Sequence, residues 1–171
     1  MLVNLCGPPA SGKSLYATNF VLSYPEFELI SIDDLRREHQ EEEEAWYQLM
    51  IGAVNTEHCI VETSGLSWHL DAHVLSQPNI MKRGILTIIL YGQEEDFIDR
   101  LKERKKPEIP FKYKGLTQKN LIRKTLEELP ERYPTAYFLK TDNSTHKEKN
   151  YKEFEKVILS YKKKIDEYLV K

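Results

Sequence analysis

Short β-rich runs alternate with longer amphipathic stretches along this chain, a pattern that predicts parallel βαβ units. The apolar run 2–6 predicts a first strand, and helical spacing begins at Lys13 and continues to about residue 22. Residues 27–32 predict a second strand ending at Asp33-Asp34. A long helical region is expected over 36–56, where Trp46, Leu49, Met50 and Ala53 recur at helical spacing. A third strand at 59–63 breaks at Gly65 and is followed by a helix near 67–76. Gly84 opens a strand at 85–90 whose nearly unbroken Ile/Leu content predicts a central position covered on both faces.

Helix 94–104 then runs into Lys105-Lys106-Pro107-Glu108-Ile109-Pro110, too proline-rich to continue it. Thr117 is placed to cap a helix reaching about residue 129, and 136–140 predict the last strand. Asp142 or Ser144 precedes a final helix with Tyr151, Phe154, Ile158, Tyr161, Ile165 and Tyr168 on one face, expected to pack on the sheet. Five strands, each followed by a helix, predict an α/β fold: a doubly wound five-stranded parallel sheet in one domain, 1–171. In such sheets ligands lie at the carboxyl ends of the strands.

The first strand and first helix enclose Gly7-Pro8-Pro9-Ala10-Ser11-Gly12-Lys13-Ser14, which fits the phosphate-loop pattern G-x-x-x-x-G-K-[ST]. Successive backbone N–H groups of such a loop curl into an anion nest, and the following helix aims its positive dipole end at the same point. Lys13 is expected to reach the β- and γ-phosphates of a nucleoside triphosphate, and the Ser14 hydroxyl to bind Mg²⁺.

Composition leaves this picture standing. The chain has 171 residues, 40% hydrophobic and 30% charged, values of an ordinary soluble domain. No apolar run reaches the length of a bilayer span, and no basic-then-apolar leader opens the chain. Cys6 and Cys59 fall inside predicted buried strands and are expected to be reduced core residues of a cytoplasmic protein. The net charge of −2 is unevenly spread. Residues 26–62 hold eleven acids against two arginines, and residues 100–115 hold seven bases against two acids.

The strand ends supply the remaining candidates. Asp33 or Asp34 could accept a proton from an acceptor hydroxyl, and Arg36 could offer a planar fork to an acceptor phosphate. Either Asp could equally cap the next helix. Arg100 and Arg104 share a helix face at the start of a basic segment, about 102–115, that reads as a lid. Lid arginines would neutralise charge on the transferred group, unless they only form a solvated face with Asp99 and Glu103. Glu62 could hold a Mg²⁺-bound water or be an ordinary strand-end carboxylate, and Thr63 and Ser64 could contact acceptor or phosphate. His69 and His73 stand four apart, but the H-E-x-x-H pattern fails at Leu70, which favours a surface or packing role over metal binding. The Glu41–Glu44 run reads as a solvated face.

Taken together, the phosphate loop, Asp33 with Arg36 as D-x-x-R, and Arg100 with Arg104 as R-x-x-x-R resemble P-loop kinases of the polynucleotide 5′-hydroxyl kinase group. Adenylylsulfate, gluconate and antibiotic-type kinases share much of that frame. The resemblance implies ATP as donor with Mg²⁺, Asp33 as general base, Arg36 on an acceptor 3′-phosphate, and Arg100 and Arg104 clasping ATP phosphates. Asp34 with Arg37 fits the same spacing, and strand three ends in Glu-Thr-Ser where the group often has Asp-Thr-Asn. The expected activity is transfer of the γ-phosphate to the 5′-hydroxyl end of DNA or RNA. A small-molecule hydroxyl kinase is the alternative, and a nucleotide-binding module without transfer is a third reading of another class.

Overall fold

Every strand of the sheet is parallel to its neighbour, and the order is β2-β3-β1-β4-β5 in the computed structural model, which describes residues 1–103, 116–141 and 147–169. The strands are β1 (Leu2–Cys6), β2 (Glu28–Ser31), β3 (Cys59–Glu62), β4 (Ile85–Tyr91) and β5 (Tyr137–Lys140). The Ile/Leu-rich β4 is an interior strand covered on both faces, as expected, with Ile89 in one layer and Ile88 and Leu90 in the other. The middle strand itself is its neighbour β1, buried at every residue. A short strand with only one polar residue, Asn4, carries too little length to signal that rank in sequence. Asn4 stays satisfied inside by accepting from the Cys6 thiol (3.1 Å) and donating to Thr87 Oγ1 (3.4 Å).

Period-2 alternation along β1 divides the core into two layers. Leu2 and Cys6 face one side with Val61 and Ile89, where α3 (Glu42–Asn55), α4 (Pro78–Arg83) and α6 (Gln118–Arg132) bring Leu49, Ala53, Ile80 and Leu129. Val3 and Leu5 face the other with Ile60, Ile88 and Leu90, under α1 (Lys13–Ser23) and α7 (Lys147–Leu169). There Phe20 and Phe154 are fully buried and meet edge-on at 5.9 Å. Each such ring contributes about 1.5–3 kcal/mol of burial energy. The predicted face of α7 packs through Phe154 and Ile158, whereas Tyr168 is 81% exposed near the end of the helix.

The expected 36–56 helix is two: α2 (Ile32–Glu38) and α3, separated by extended backbone at His39 and Glu41. The break falls where the acidic run begins, so Glu42, Glu43 and Glu44 occupy the first turn of α3, the end at which a helix favours negative charge. After β3 the helical segment opens into π geometry over Leu70–Leu75, with the Ser76 N–H bonded to the carbonyl of Asp71, five residues back (3.1 Å). Thr117 caps α6 as the sequence predicts, its hydroxyl accepting from Asn120 N–H at 3.2 Å, but the helix runs past residue 129 through Pro130 to Arg132. Helix α5 spans Glu94–Glu103. Of the expected lid, about 102–115, Lys102 and Glu103 belong to α5, and residues 104–115, like the Asp142 and Ser144 caps, lie outside the described residues. Among the described residues, no helix is long and apolar enough to cross a membrane.

The chain leaves β1 toward β2 on one side and β4 toward β5 on the other. Connections that diverge in this way open a crevice at the carboxyl ends of the strands, beside β1.

Candidate active site at the strand ends

The loop leaving β1 holds a curl that few sequences permit. Gly7 has φ +153° and Gly12, at the N-cap of α1, has φ +96°. A Cβ on Gly7 would stand 2.8 Å from the Leu90 carbonyl oxygen and 3.0 Å from Ser11 Oγ, so only glycine fits between the loop and β4. Ala10 takes a left-handed φ of +63° without being glycine, a strained conformation of a kind common at ligand-binding turns. Ser11 N–H closes the turn onto the Pro8 carbonyl at 3.2 Å. The Ser11 hydroxyl is buried with no hydrogen-bond partner among the described residues, an orphan donor inside an anion nest. Lys13 Nζ folds back over the loop and donates to the Gly7 and Pro8 carbonyls, at 3.0 Å each. Those weak neutral acceptors are what a triphosphate would displace.

Directly opposite, the Ser14 hydroxyl donates to Glu62 Oε1 at 2.7 Å. Register explains the meeting: Glu62 ends β3 paired with Leu5 of β1 and Ser31 of β2, at the sheet's rim. Burial pushes the Glu62 carboxyl above the usual carboxylate range, and Asp33 and Asp34 push the same way, while Lys13 and the Ser14 hydrogen bond oppose them. This pair of hard oxygens suits Mg²⁺, which takes one or two protein ligands beside phosphate oxygens.

Because burial and the two aspartates raise Glu62, the folded protein binds this proton more tightly than the unfolded chain. The stability it contributes is complete below the ordinary carboxylate range and is lost as pH rises through the raised value. Glu62→Gln is therefore expected to melt higher than the parent at about pH 8, with the difference vanishing near about pH 4. The same variant should weaken Mg²⁺-dependent nucleotide binding by roughly 10–100-fold. Thermal melts without metal across that range, and nucleotide titrations with and without Mg²⁺, check both halves.

Asp33 and Asp34 stand in the first turn of α2, immediately after β2, anchored by buried Ile32. Each holds the arginine three residues on, Asp33 to Arg36 at 3.2 Å and Asp34 to Arg37 at 2.5 Å. Arg36 is also held by Glu42 through both Nε (2.8 Å) and Nη2 (2.5 Å), and its guanidinium lies 5.8 Å from the Trp46 ring. Burial pushes the Glu42 carboxyl up, but hydrogen bonds from Arg36 and Trp46 and the Arg36 charge outweigh it and hold it below the usual range. The fork expected to meet an acceptor phosphate is thus engaged by two carboxylates.

On the other flank, Arg100 reaches from α5 to the Thr141 carbonyl beyond β5 (3.0 Å) and toward the Ala10 carbonyl of the phosphate loop (3.4 Å). It walls a cavity of about 370 Å³ shared with Ser11, Leu15, Tyr16, Asn19 and Tyr151, within the usual range for small-molecule sites. Arg104, its expected partner, lies outside the described residues. Thr63 is buried, its hydroxyl accepting from Gly65 N–H at 2.9 Å to shape the turn, while Ser64 Oγ is 3.4 Å from Leu66 N–H. Cys6 and Cys59 are both buried free thiols, which burial pushes up to about 12 and about 11.

Two further groupings join residues distant in sequence. Arg132, at the end of α6, donates to Asp71 (Nε, 2.7 Å) and to the Leu66 and Ser67 carbonyls, while Tyr133 bonds Asp71 Oδ1 (2.8 Å). Together they clamp the loop that follows β3. The second grouping stacks His69 between Trp46 and Trp68, with His73 5.5 Å away. Histidine and tryptophan at scattered separations carry no periodic signal that would predict either arrangement.

No protein-family model matches the chain, and no curated protein does. Similar solved structures include shikimate kinase from Bacteroides thetaiotaomicron, with a TM-score of 0.65 and 15% identity over 92% of this chain and 98% of that one. A gluconokinase from Sinorhizobium meliloti 1021 gives a TM-score of 0.58 at 17% identity, covering 98% and 94%. Deoxyadenosine kinase from M. mycoides with bound dCTP gives 0.53 at 12% identity, covering 94% and 100%. The fold is that of the P-loop kinases: a five-stranded parallel sheet with flanking helices in a single domain.

Proposed function

We propose that this chain is an ATP- and Mg²⁺-dependent kinase that phosphorylates a hydroxyl of a small molecule. The observation that carries the reading is the convergence, at one rim, of the curled loop with Lys13, the Ser14–Glu62 pair and the Asp33-Asp34 turn. A phosphate nest facing a candidate base is most of what phosphoryl transfer asks of a protein. The cavity beside Arg100 suits the base and ribose of the donor, and likeness to shikimate kinase, a gluconokinase and deoxyadenosine kinase favours a small acceptor. A nucleic-acid 5′ end is less well served, since Arg36 is already paired with Glu42 and Asp33.

In this reading the loop N–H groups, the Ser11 hydroxyl and Lys13 bind the donor's phosphate oxygens. Asp33 orients the acceptor hydroxyl and takes its proton as the oxygen attacks the γ-phosphorus. A new O–P bond forms, the bond from the γ-phosphorus to the bridging oxygen breaks, and ADP leaves with that electron pair. Lys13 stays beside the oxygens on which charge collects. Mg²⁺, held by Ser14 with Glu62 behind it, would supply further neutralisation of phosphate charge. Arg100 and Arg104 are proposed to complete the donor side, and Ser64 and Thr63 to border the acceptor.

Incubation with γ-labelled ATP and Mg²⁺ tests this against 5′-hydroxyl DNA and RNA oligonucleotides, polyhydroxy acids, sugars, amino sugars and nucleosides. Label is expected on a small molecule and on neither oligonucleotide. Label on an oligonucleotide would establish the 5′-hydroxyl kinase instead. No label anywhere, with ATP bound, would leave a nucleotide-binding module.

A further inference from the structure

Helix α7 carries its charges in sorted rows. Lys149, Lys152, Lys156 and Lys164 line a groove of about 610 Å³ between the helix and the sheet, a volume within the range of binding sites. Its floor is Leu86 of β4, Tyr137 of β5, and Val157 and Tyr161 of the helix itself. Tyr137 donates to Glu153 (2.5 Å) and, farther along α7, Tyr161 donates to the Ile85 carbonyl (2.8 Å), so both hydroxyls pin the helix to the sheet. β5 begins opposite Ile88, which leaves Ile85, Leu86 and Thr87 of β4 without a β5 neighbour. The Leu86 end of the groove therefore lies at the amino ends of the strands, opposite the phosphate loop.

Charge on the groove is one-sided. Of its lining residues only Glu153 is acidic, and Tyr137 engages that carboxylate. Other carboxylates of α7 are turned elsewhere: Glu155 accepts from Tyr24, Asp166 pairs with Lys162, and Glu167 pairs with Lys163. Glu148 holds Lys152 at 2.7 Å, whereas Lys149, Lys156 and Lys164 form no ion pair among the described residues. Lys149, Lys152 and Lys156 stand three and four residues apart on one face and repel one another, a cost that an anion lying across them would remove.

Shape narrows the anion. The lysines are exposed along the rim, and Leu86 and Val157 are half-buried below them. A bilayer or a nucleic-acid duplex is too broad to reach that floor. A single nucleic-acid strand repeats its charge at every nucleotide and would press phosphate against Glu153, while Leu86 and Val157 offer a base no hydrogen bond. An extended peptide meets both parts. Its alternate side chains lie about 6.6–6.8 Å apart, close to the roughly 6 Å rise between helical residues four apart. Carboxylates at alternate positions can follow the lysines while the intervening apolar side chains turn to the floor. From Lys149 to Lys164 the row runs about 22 Å, the length of about seven extended residues.

We propose that this groove docks an extended acidic segment of a partner protein. Its carboxylates lie over the four lysines and its apolar side chains rest on Leu86 and Val157. The Lys149 end approaches the Arg100 cavity, which Lys147 and Asn150 help to line, and the Lys164 end is remote from it.

Fluorescence anisotropy with fluorescein-labelled peptides of about ten residues tests the docking. A peptide alternating glutamate with leucine is expected to bind at least about tenfold more tightly than its glutamine–leucine or glutamate–serine counterpart. It should outbind oligothymidylate of the same length, and phosphatidylserine vesicles read by co-sedimentation, by the same margin. Raised salt should weaken the peptide complex. Lys156→Glu with Lys164→Glu, at the end remote from the Arg100 cavity, should lose at least about tenfold in peptide affinity with ATP affinity unchanged. Lys119→Glu with Lys163→Glu imposes the same net charge outside the groove and should keep parental peptide binding. No binding of the glutamate–leucine peptide, equal affinity for the glutamate–serine peptide, or salt-insensitive binding overturns the proposal. So does a preference for oligothymidylate or vesicles, or an equal loss in the two double variants.

Discussion

Asp33→Asn is expected to lower kcat by roughly 10²–10⁴-fold while ATP affinity changes by no more than about twofold. Asparagine keeps the shape of the side chain and can still accept from Arg36, so the α2 turn and its link to Glu42 should survive. What it loses is the ability to take the acceptor's proton. Asp34→Asn is the internal control. Its partner Arg37 is more than half exposed and pairs with Asp34 at the surface, whereas Arg36 ties Asp33 to α3 and Trp46. An exposed pair of that kind contributes little, about 0–1 kcal/mol, so the control should retain near-parental turnover. Steady-state kinetics with equilibrium ATP binding separates the outcomes. Collapse in Asp34→Asn alone would transfer the role to the second aspartate, and indifference of both would remove this turn from the chemistry.

The ambiguity between the two aspartates shows where sequence reading reached its limit. Strand-to-helix alternation and glycine placement make the sheet, the phosphate loop and the strand-end rim legible, because each depends on local spacing. At that rim Ser14 bonds Glu62, and Asp33 begins the helix after the next strand. The break between α2 and α3 was hidden because helical spacing continues across it, and only the dipole preference of the acidic run marks a new N-terminus. Helix α4 had a readable frame, Pro78 at its start and Gly84 with φ +84° at its end, but six residues are too few for periodicity to register. Arg36's pairing with Glu42, the stacking of His69 between two tryptophans and the Arg132–Asp71 clamp are tertiary. They join residues 6, 23 and 61 positions apart or bridge separate helices, and no local pattern encodes them.

Lys13→Ala is expected to reduce transfer by at least ~10³-fold and to weaken ATP binding as well, because the lysine serves both the ground state and the departing phosphate. Its present contacts indicate why the loss would be large. Nζ donates to the neutral Gly7 and Pro8 carbonyls, which hold the charge over the loop. An approaching triphosphate exchanges two neutral acceptors for charged ones, roughly doubling the strength of each hydrogen bond. The lysine also bridges the carbonyls of the first loop residues, helping to hold a curl that includes left-handed Ala10 and Gly12. Lys13→Arg separates these contributions. It restores the charge, but a planar guanidinium is larger and cannot occupy the position of a compact ammonium between two carbonyls. Transfer should therefore remain severely impaired in the arginine variant although net charge is unchanged. Thermal melts should shift little in either, since the side chain extends over the loop and not into either core layer. Recovery of near-parental turnover by arginine would mean that charge alone suffices, and a geometric role for Lys13 would then be wrong.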